Sequence, residues 1–126
     1  MLRQKNMVML DTNMILRYLL DDNQEMADKA EQYLNAGDVS VTIEVIAEVI
    51  YVLKGVYSLE QDKIVDTVKY FIEFVSCQER EVLFLALETF KKCNLDFVDC
   101  VLYAYHKLKN VEIATFDKKL LNMMSE

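Results

Sequence analysis

Short apolar runs alternate along this chain with segments whose apolar residues recur at helical spacing. Residues 7–10 are four apolar residues in succession and predict a short, fully buried strand. Residues 13–20 predict a helix. Residues 24–35 predict a second helix, with Ala27, Ala30, Tyr33 and Leu34 facing inward. Asn35-Ala36-Gly37-Asp38 is a helix stop, with Gly37 suited to a left-handed C-terminal position. Residues 39–41 predict a second strand, after which Thr42 caps a very apolar helix running to Lys54. Ser58-Leu59-Glu60-Gln61 has the spacing of a capping box. The helix behind it sets Ile64, Val65, Val68, Phe71, Ile72 and Val75 on one face. Residues 81–84 predict a third strand, 85–93 a helix, 96–109 another apolar helix, 111–115 a fourth strand, and 118–124 a terminal helix.

Strands alternating with helices imply an α/β protein: a short parallel sheet covered by helices on both faces, an α/β/α sandwich. Residues 1–126 read as a single domain, without internal repeat or low-complexity segment. In an open α/β sheet, ligands sit outside the carboxyl ends of the strands. Asp11 and Asp117 each follow directly on a predicted strand, which places both on that edge.

Carboxylates stand inside several of the apolar segments. Asp11 separates Met7-Val8-Met9-Leu10 from Met14-Ile15-Leu16. Glu44 and Glu48 are the only charges in residues 41–53, Asp99 is the only one in residues 97–105, and Asp117 closes Ile113-Ala114-Thr115-Phe116. A buried carboxylate neutralises, pairs, or binds a metal. Several of them in separate segments predict one shared acidic pocket and a divalent cation. Each also has a plainer explanation. Asp11 and Asp117 are well placed to cap the helices that follow them, and Asp96 starts its helix. Glu44 lies in a first helical turn, where the dipole favours acid. Glu44 and Glu48 lie one turn apart on one face, where like charges repel. The plain alternative for Glu48 is a core salt bridge to Arg17 or Arg80.

Composition narrows the classes. The formal charge of −7 argues against a generic basic nucleic-acid coat. It leaves a polyanionic substrate open, because a bound metal reverses the local field. No apolar run reaches the roughly 18 residues of a membrane span, and the start of the chain leads into too short an apolar run for a leader peptide. The three cysteines, Cys77, Cys93 and Cys100, form no pair motif, which fits a reducing cytoplasm. With one histidine, His106, a structural zinc site is a poor reading. His106 lies about 10 Å along its helix from Asp99, too far to share a metal. Tyr51, Tyr57, Tyr103 and Tyr105 read as core and rim rather than as a base-stacking platform. Lys91, Lys92, Lys107, Lys109, Lys118 and Lys119 read as solvated faces, with contact to phosphates open to some of them.

Leu10-Asp11-Thr12-Asn13 with Met14-Ile15-Leu16-Arg17-Tyr18-Leu19 resembles the opening motif of PIN domains. Ile46-Ala47-Glu48-Val49-Ile50-Tyr51-Val52-Leu53 resembles their second acidic motif, Asp96-Phe97-Val98-Asp99-Cys100-Val101-Leu102 the third, and Ala114-Thr115-Phe116-Asp117 the fourth. The four stand in family order over nearly the whole chain, and the length and third motif look closest to VapC-type toxin ribonucleases. The resemblance implies a catalytic and metal-binding quartet of Asp11, Glu48, Asp99 and Asp117. Thr12, Asn13 and Thr115 are supporting residues, with Glu44 and Asp96 as lesser candidates. It implies hydrolysis of RNA with Mg²⁺ or Mn²⁺, cations that suit hard oxygen ligands, together with an antitoxin partner and a homodimer. One departure is Cys100-Val101 after Asp99, where many relatives have small residues. Three rivals fit less well. A haloacid-dehalogenase-like phosphatase wants a second Asp where Asn13 stands. A non-catalytic PIN-like protein-binding module is expected to lose acidic positions that are kept here. A receiver domain wants a Lys after a late strand, and none lies between Thr115 and Asp117.

Overall fold

The computed structural model describes residues 7–126; the first six residues, read above for a leader, lie outside the described residues. Two short strands and seven helices follow one another: β1 Val8–Met9, α1 Thr12–Leu20, α2 Gln24–Ala36, β2 Val39–Ser40, α3 Ile43–Gly55, α4 Gln61–Ile72, α5 Arg80–Lys92, α6 Phe97–Lys109 and α7 Lys118–Met124. The protein is thus mostly helical around a short parallel sheet, in which Val8 pairs with Val39 and Met9 with Ser40.

The predicted third strand is helix instead. Val82, Leu83, Ala86, Leu87 and Phe90 are all buried, a spacing of one, four, five and eight that only a helix presents to one side. A four-residue apolar run does not by itself separate the two structures. The third parallel partner of the sheet lies a few residues earlier, at Ser76. Its N–H donates to the Val39 carbonyl at 2.8 Å, and its carbonyl accepts from the Val41 N–H at 2.9 Å.

The predicted fourth strand does not form either. Residues 111–115 carry no strand pairing to β1 or β2. Their start is tied to α6: His106 Nδ1 lies 3.1 Å from the Val111 carbonyl. A carbonyl only accepts, so that ring nitrogen carries the proton. Val111 stays exposed and Phe116 is fully exposed. The segment therefore has no sheet edge to join.

Helix ends follow local chemistry. Asn23 caps α2, Thr42 caps α3, and each side chain accepts from the N–H three residues on. The expected capping box at Ser58 is absent. Glu60 stands at the cap position without a side-chain bond, and Ser58 lies two residues before it. Gln61 turns away to donate to the Phe90 carbonyl at 2.9 Å, joining the start of α4 to the end of α5. Gly37 has φ 80° and ψ 174°, a region essentially restricted to glycine but not the left-handed helical one expected. Tyr33, expected inside, is exposed, whereas Ala27 and Ala30 are buried.

Helix α3 is the centre of the fold. It buries Ile46, Val49, Ile50 and Leu53 and packs against α1, α4 and α6. Helices α5 and α6 pack closely through Phe90 and Phe97, whose rings meet edge to face at 5.8 Å. Leu87→Ala removes a fully buried side chain and is expected to cost about 2–5 kcal/mol in urea unfolding. Phe116→Ser is expected to fall within about 0.5 kcal/mol of the parent. A large loss for Phe116→Ser would mean that residues 111–116 pack against the core after all.

Candidate active site

Asp11 follows β1 and caps α1. Its carboxylate accepts from the Met14 N–H at 2.8 Å, so the capping role open to it in the sequence is real. Thr12 and Asn13 open the helix behind it. The Thr12 hydroxyl donates to Glu48 Oε2 at 2.9 Å across to α3. That bond joins the first acidic segment to the second. The salt-bridge alternative for Glu48 fails, because both arginines are engaged elsewhere. Arg17 pairs with Asp22 at 2.8 Å, and Arg80 donates to the carbonyls of Ile72 and Val75 while lying over the Phe84 ring.

Asp99 lies in the first turn of α6, Asp96 at its cap position, and Asp117 at the cap of α7. Because residues 111–115 are not a strand, Asp117 does not reach the site along a sheet edge. It arrives because α7 packs on α6. Its carboxylate accepts from the Leu120 N–H at 2.9 Å, and its own N–H donates to the Thr115 hydroxyl at 3.0 Å. Asp96, Asp99 and Asp117 line one open pocket of about 370 Å³ with Lys118 and Lys119. Burial, then the charges of Asp117 and Asp96, push the Asp99 carboxyl above its ordinary value. Asp96 makes no side-chain cap bond, so the capping explanation offered for it does not hold.

The acids are less enclosed than their apolar surroundings suggested. Asp11, Glu44, Glu48, Asp96 and Asp117 are exposed and Asp99 is half-buried. A helix needs only one apolar face buried, so a lone acid in an apolar run can point outward at the rim. The structure therefore holds two linked pairs of segments: Asp11–Thr12 with Glu48, and Asp96–Asp99 with Asp117. Helix α3 packs against both α1 and α6, but among the described residues no three Asp, Glu, His or Cys side chains converge tightly enough to enclose a cation. Glu44 sits in the first turn of α3, as expected, and lines a separate pocket with Cys77 and Tyr105. Cys100 is fully buried, with its thiol pushed up to about 12 mainly by that burial. It is a neutral packing residue beside the acids, neither ligand nor nucleophile.

The PIN domain family model matches residues 8–124, and the chain belongs to that family. No curated protein and no solved structure is significantly similar to it. PIN domains are generally nucleases, typically metal-dependent hydrolases of nucleic acid, which is the class this chain enters. No helix among the described residues is long and apolar enough to cross a membrane.

The capping role changes what a substitution at Asp11 reports. Asn caps about as well as Asp, so Asp11→Asn is expected to leave stability unchanged. Asp11→Ala is expected to cost about 1 kcal/mol. Asp99→Asn relieves like-charge repulsion and is expected to melt no lower than the parent in EDTA. Thermal melting of the three variants checks this, and a clear loss for Asp99→Asn would mean that its charge is paired rather than opposed.

Proposed function

We propose that the protein is a metal-dependent endoribonuclease acting in the cytoplasm as the toxin of a toxin–antitoxin pair. Asp11, Glu48, Asp99 and Asp117 form its acid set, supported by Thr12, Asn13 and Thr115. The observation that carries the reading is the gathering of Asp96, Asp99 and Asp117 about one open pocket, with Asp99 held above its ordinary pKa by burial and like charge. A bound cation favours the charged form of such a group and offsets the repulsion among the three acids.

The donors suit the cation. They are hard carboxylate oxygens, and Mg²⁺ commonly takes only one or two of these, with waters and substrate phosphates completing its shell. Asp99 and Asp117 would hold it, with Asp11 at the cap of α1 and Glu48 on α3 completing the acid set on this reading. When bound, it supplies Lewis acidity at the scissile phosphodiester. The chain's own residues do the rest. Thr12 holds the Glu48 carboxylate by its 2.9 Å bond. Thr115 fixes the backbone that carries Asp117. Lys118 and Lys119, at the pocket's lip, attract phosphate to an otherwise acidic surface. A basic partner segment bearing Arg would mask the same acids by bidentate pairing, and the exposed apolar residues support pairing of two copies as a homodimer.

Cleavage of single-stranded or structured RNA is expected only with Mg²⁺ or Mn²⁺, and to stop in EDTA. Asp99→Asn is expected to abolish it. Mg²⁺ is expected to stabilise the parent by about 2.7 kcal/mol at a hundredfold excess over its dissociation constant, and Asp99→Asn far less. Equal cleavage by a repurified, metal-free sample would sink the mechanism.

A further inference from the structure

Beside the acidic pocket runs a groove of about 530 Å³ between α3 and the start of α6, lined by Ala47, Ile50, Tyr51, Lys54, Phe90 and Phe97 among others. We propose that it receives one nucleobase of the substrate, stacked on Tyr51, while Lys54 meets a neighbouring phosphate. This subsite rests on the nuclease reading and adds to it the means by which the protein grips the strand next to the cut.

Three observations converge. The first is position. Asp96 lines both the groove and the acidic pocket. Phe97 and Val98 lead directly into Asp99, and Tyr51 follows Glu48 by three residues on α3, roughly 4.5 Å along the axis and on the same face. A strand whose phosphate lies at the acids passes its next base over this groove.

The second is chemistry. The floor is apolar and packed: Ile50, Phe90 and Phe97 are buried. The rim is not, with Tyr51 77% and Val98 58% exposed. Tyr51 was expected in core or rim packing, yet its ring stands free beside an apolar slot. Exposed aromatic rings beside a backbone-tracking cation are the recurring means of holding unpaired bases. At Gly55 a Cβ would meet nothing within 4 Å, so that end of the groove is open. The volume lies within the range of small-molecule sites.

The third is charge. Lys54 Nζ lies 5.5 Å over the Phe90 ring and joins no ion pair among the described residues. Its charge therefore stands at the mouth of the apolar slot, where it complements a phosphate of a strand whose base enters the slot.

The test uses oligoribonucleotides in which a single abasic position is walked past the cleavage site. Tyr51→Ala is expected to lower kcat/KM about tenfold, within the range of one base–aromatic stack, and chiefly through KM. Tyr51→Phe is expected to restore it, because the ring suffices. One abasic position is expected to slow the parent by a similar factor and to leave Tyr51→Ala unaffected. Lys54→Met is expected to raise KM and flatten its salt dependence. The chain contains no Trp, so Tyr51→Trp introduces a single reporter whose emission is expected to be quenched by the intact strand and not by the abasic one. This readout needs no cleavage. It still decides the groove if the parent proves inactive, a result that would count against the nuclease reading alone. Equal abasic sensitivity in parent and Tyr51→Ala, or quenching that ignores the base, overturns the subsite. So does a change in mass by light scattering with cleavage unaltered, which would make the groove a contact between copies.

Discussion

The burial of one face of α3 is the constraint on which the rest of the structure depends. Ile46, Val49, Ile50 and Leu53 are taken out of water together, each of them a gain of roughly 1.5–3 kcal/mol when fully buried. That fixes the rotation of the helix about its own axis. Glu48 and Tyr51 lie on the remaining arc and are held at the surface by the same rotation. Because α1 and α6 both pack on α3, the helix also sets how far the Asp11 segment stands from the Asp99 segment. Packing thus decides where the acids stand, and the acids contribute little to the packing.

Gathering three carboxylates at one pocket carries an electrostatic cost, and the fold offsets part of it. Asp96 and Asp99 sit at the N-terminus of α6, and Asp117 at that of α7. Helix N-termini carry partial positive charge and unpaired N–H groups. Asp117 also spends part of its charge on the Leu120 N–H. Asp99 makes no such bond among the described residues and is the more buried, and it is the one whose carboxyl is pushed up. The repulsion therefore falls on the residue with least local compensation. It is also where an added cation gains most.

Much of this was legible in the sequence, and the failures share one cause. The amphipathic helices α3 and α6 were read to within a residue or two, because apolar positions recur over several turns; α4 was read too long, from a cap at Ser58 through Val75, whereas it runs from Gln61 to Ile72. The short strands were half read. β1 and β2 were found, but residues 81–84 became helix and residues 111–115 remained unpaired, because four or five residues do not contain enough period to choose. The sheet's third contact falls at Ser76, in a polar stretch with no strand signal at all. At the site, the acidic segments were found for a reason that the structure corrects. They were read as buried charges, yet they are rim charges on half-buried helices. An apolar run with one acid in it marks the place where a buried face meets solvent, and that boundary is also where a pocket opens. The Tyr51 groove was missed because exposure of a single ring is decided by helix rotation, which the sequence pattern of α3, apolar almost all round, leaves undetermined.

The same boundary bears on how an acidic protein meets an acidic polymer. At a charge of −7, long-range attraction does not bring nucleic acid to this surface, and screening at physiological salt confines the field to about 8 Å. Recognition has to be local. The pocket itself repels phosphate until a cation reverses its sign. Cations stand close to it: Lys54 lines the neighbouring groove, and Lys118 and Lys119 line the pocket with Asp117. The apolar groove binds through stacking and desolvation, which net charge does not oppose. On the proposed reading, affinity for the strand arises from the flanks, and the acids at the centre are left to select the metal. That division makes cleavage, rather than binding, the step that depends on the metal, and it makes the groove a grip that the acids do not oppose, one that tolerates any base because every base has a face to stack.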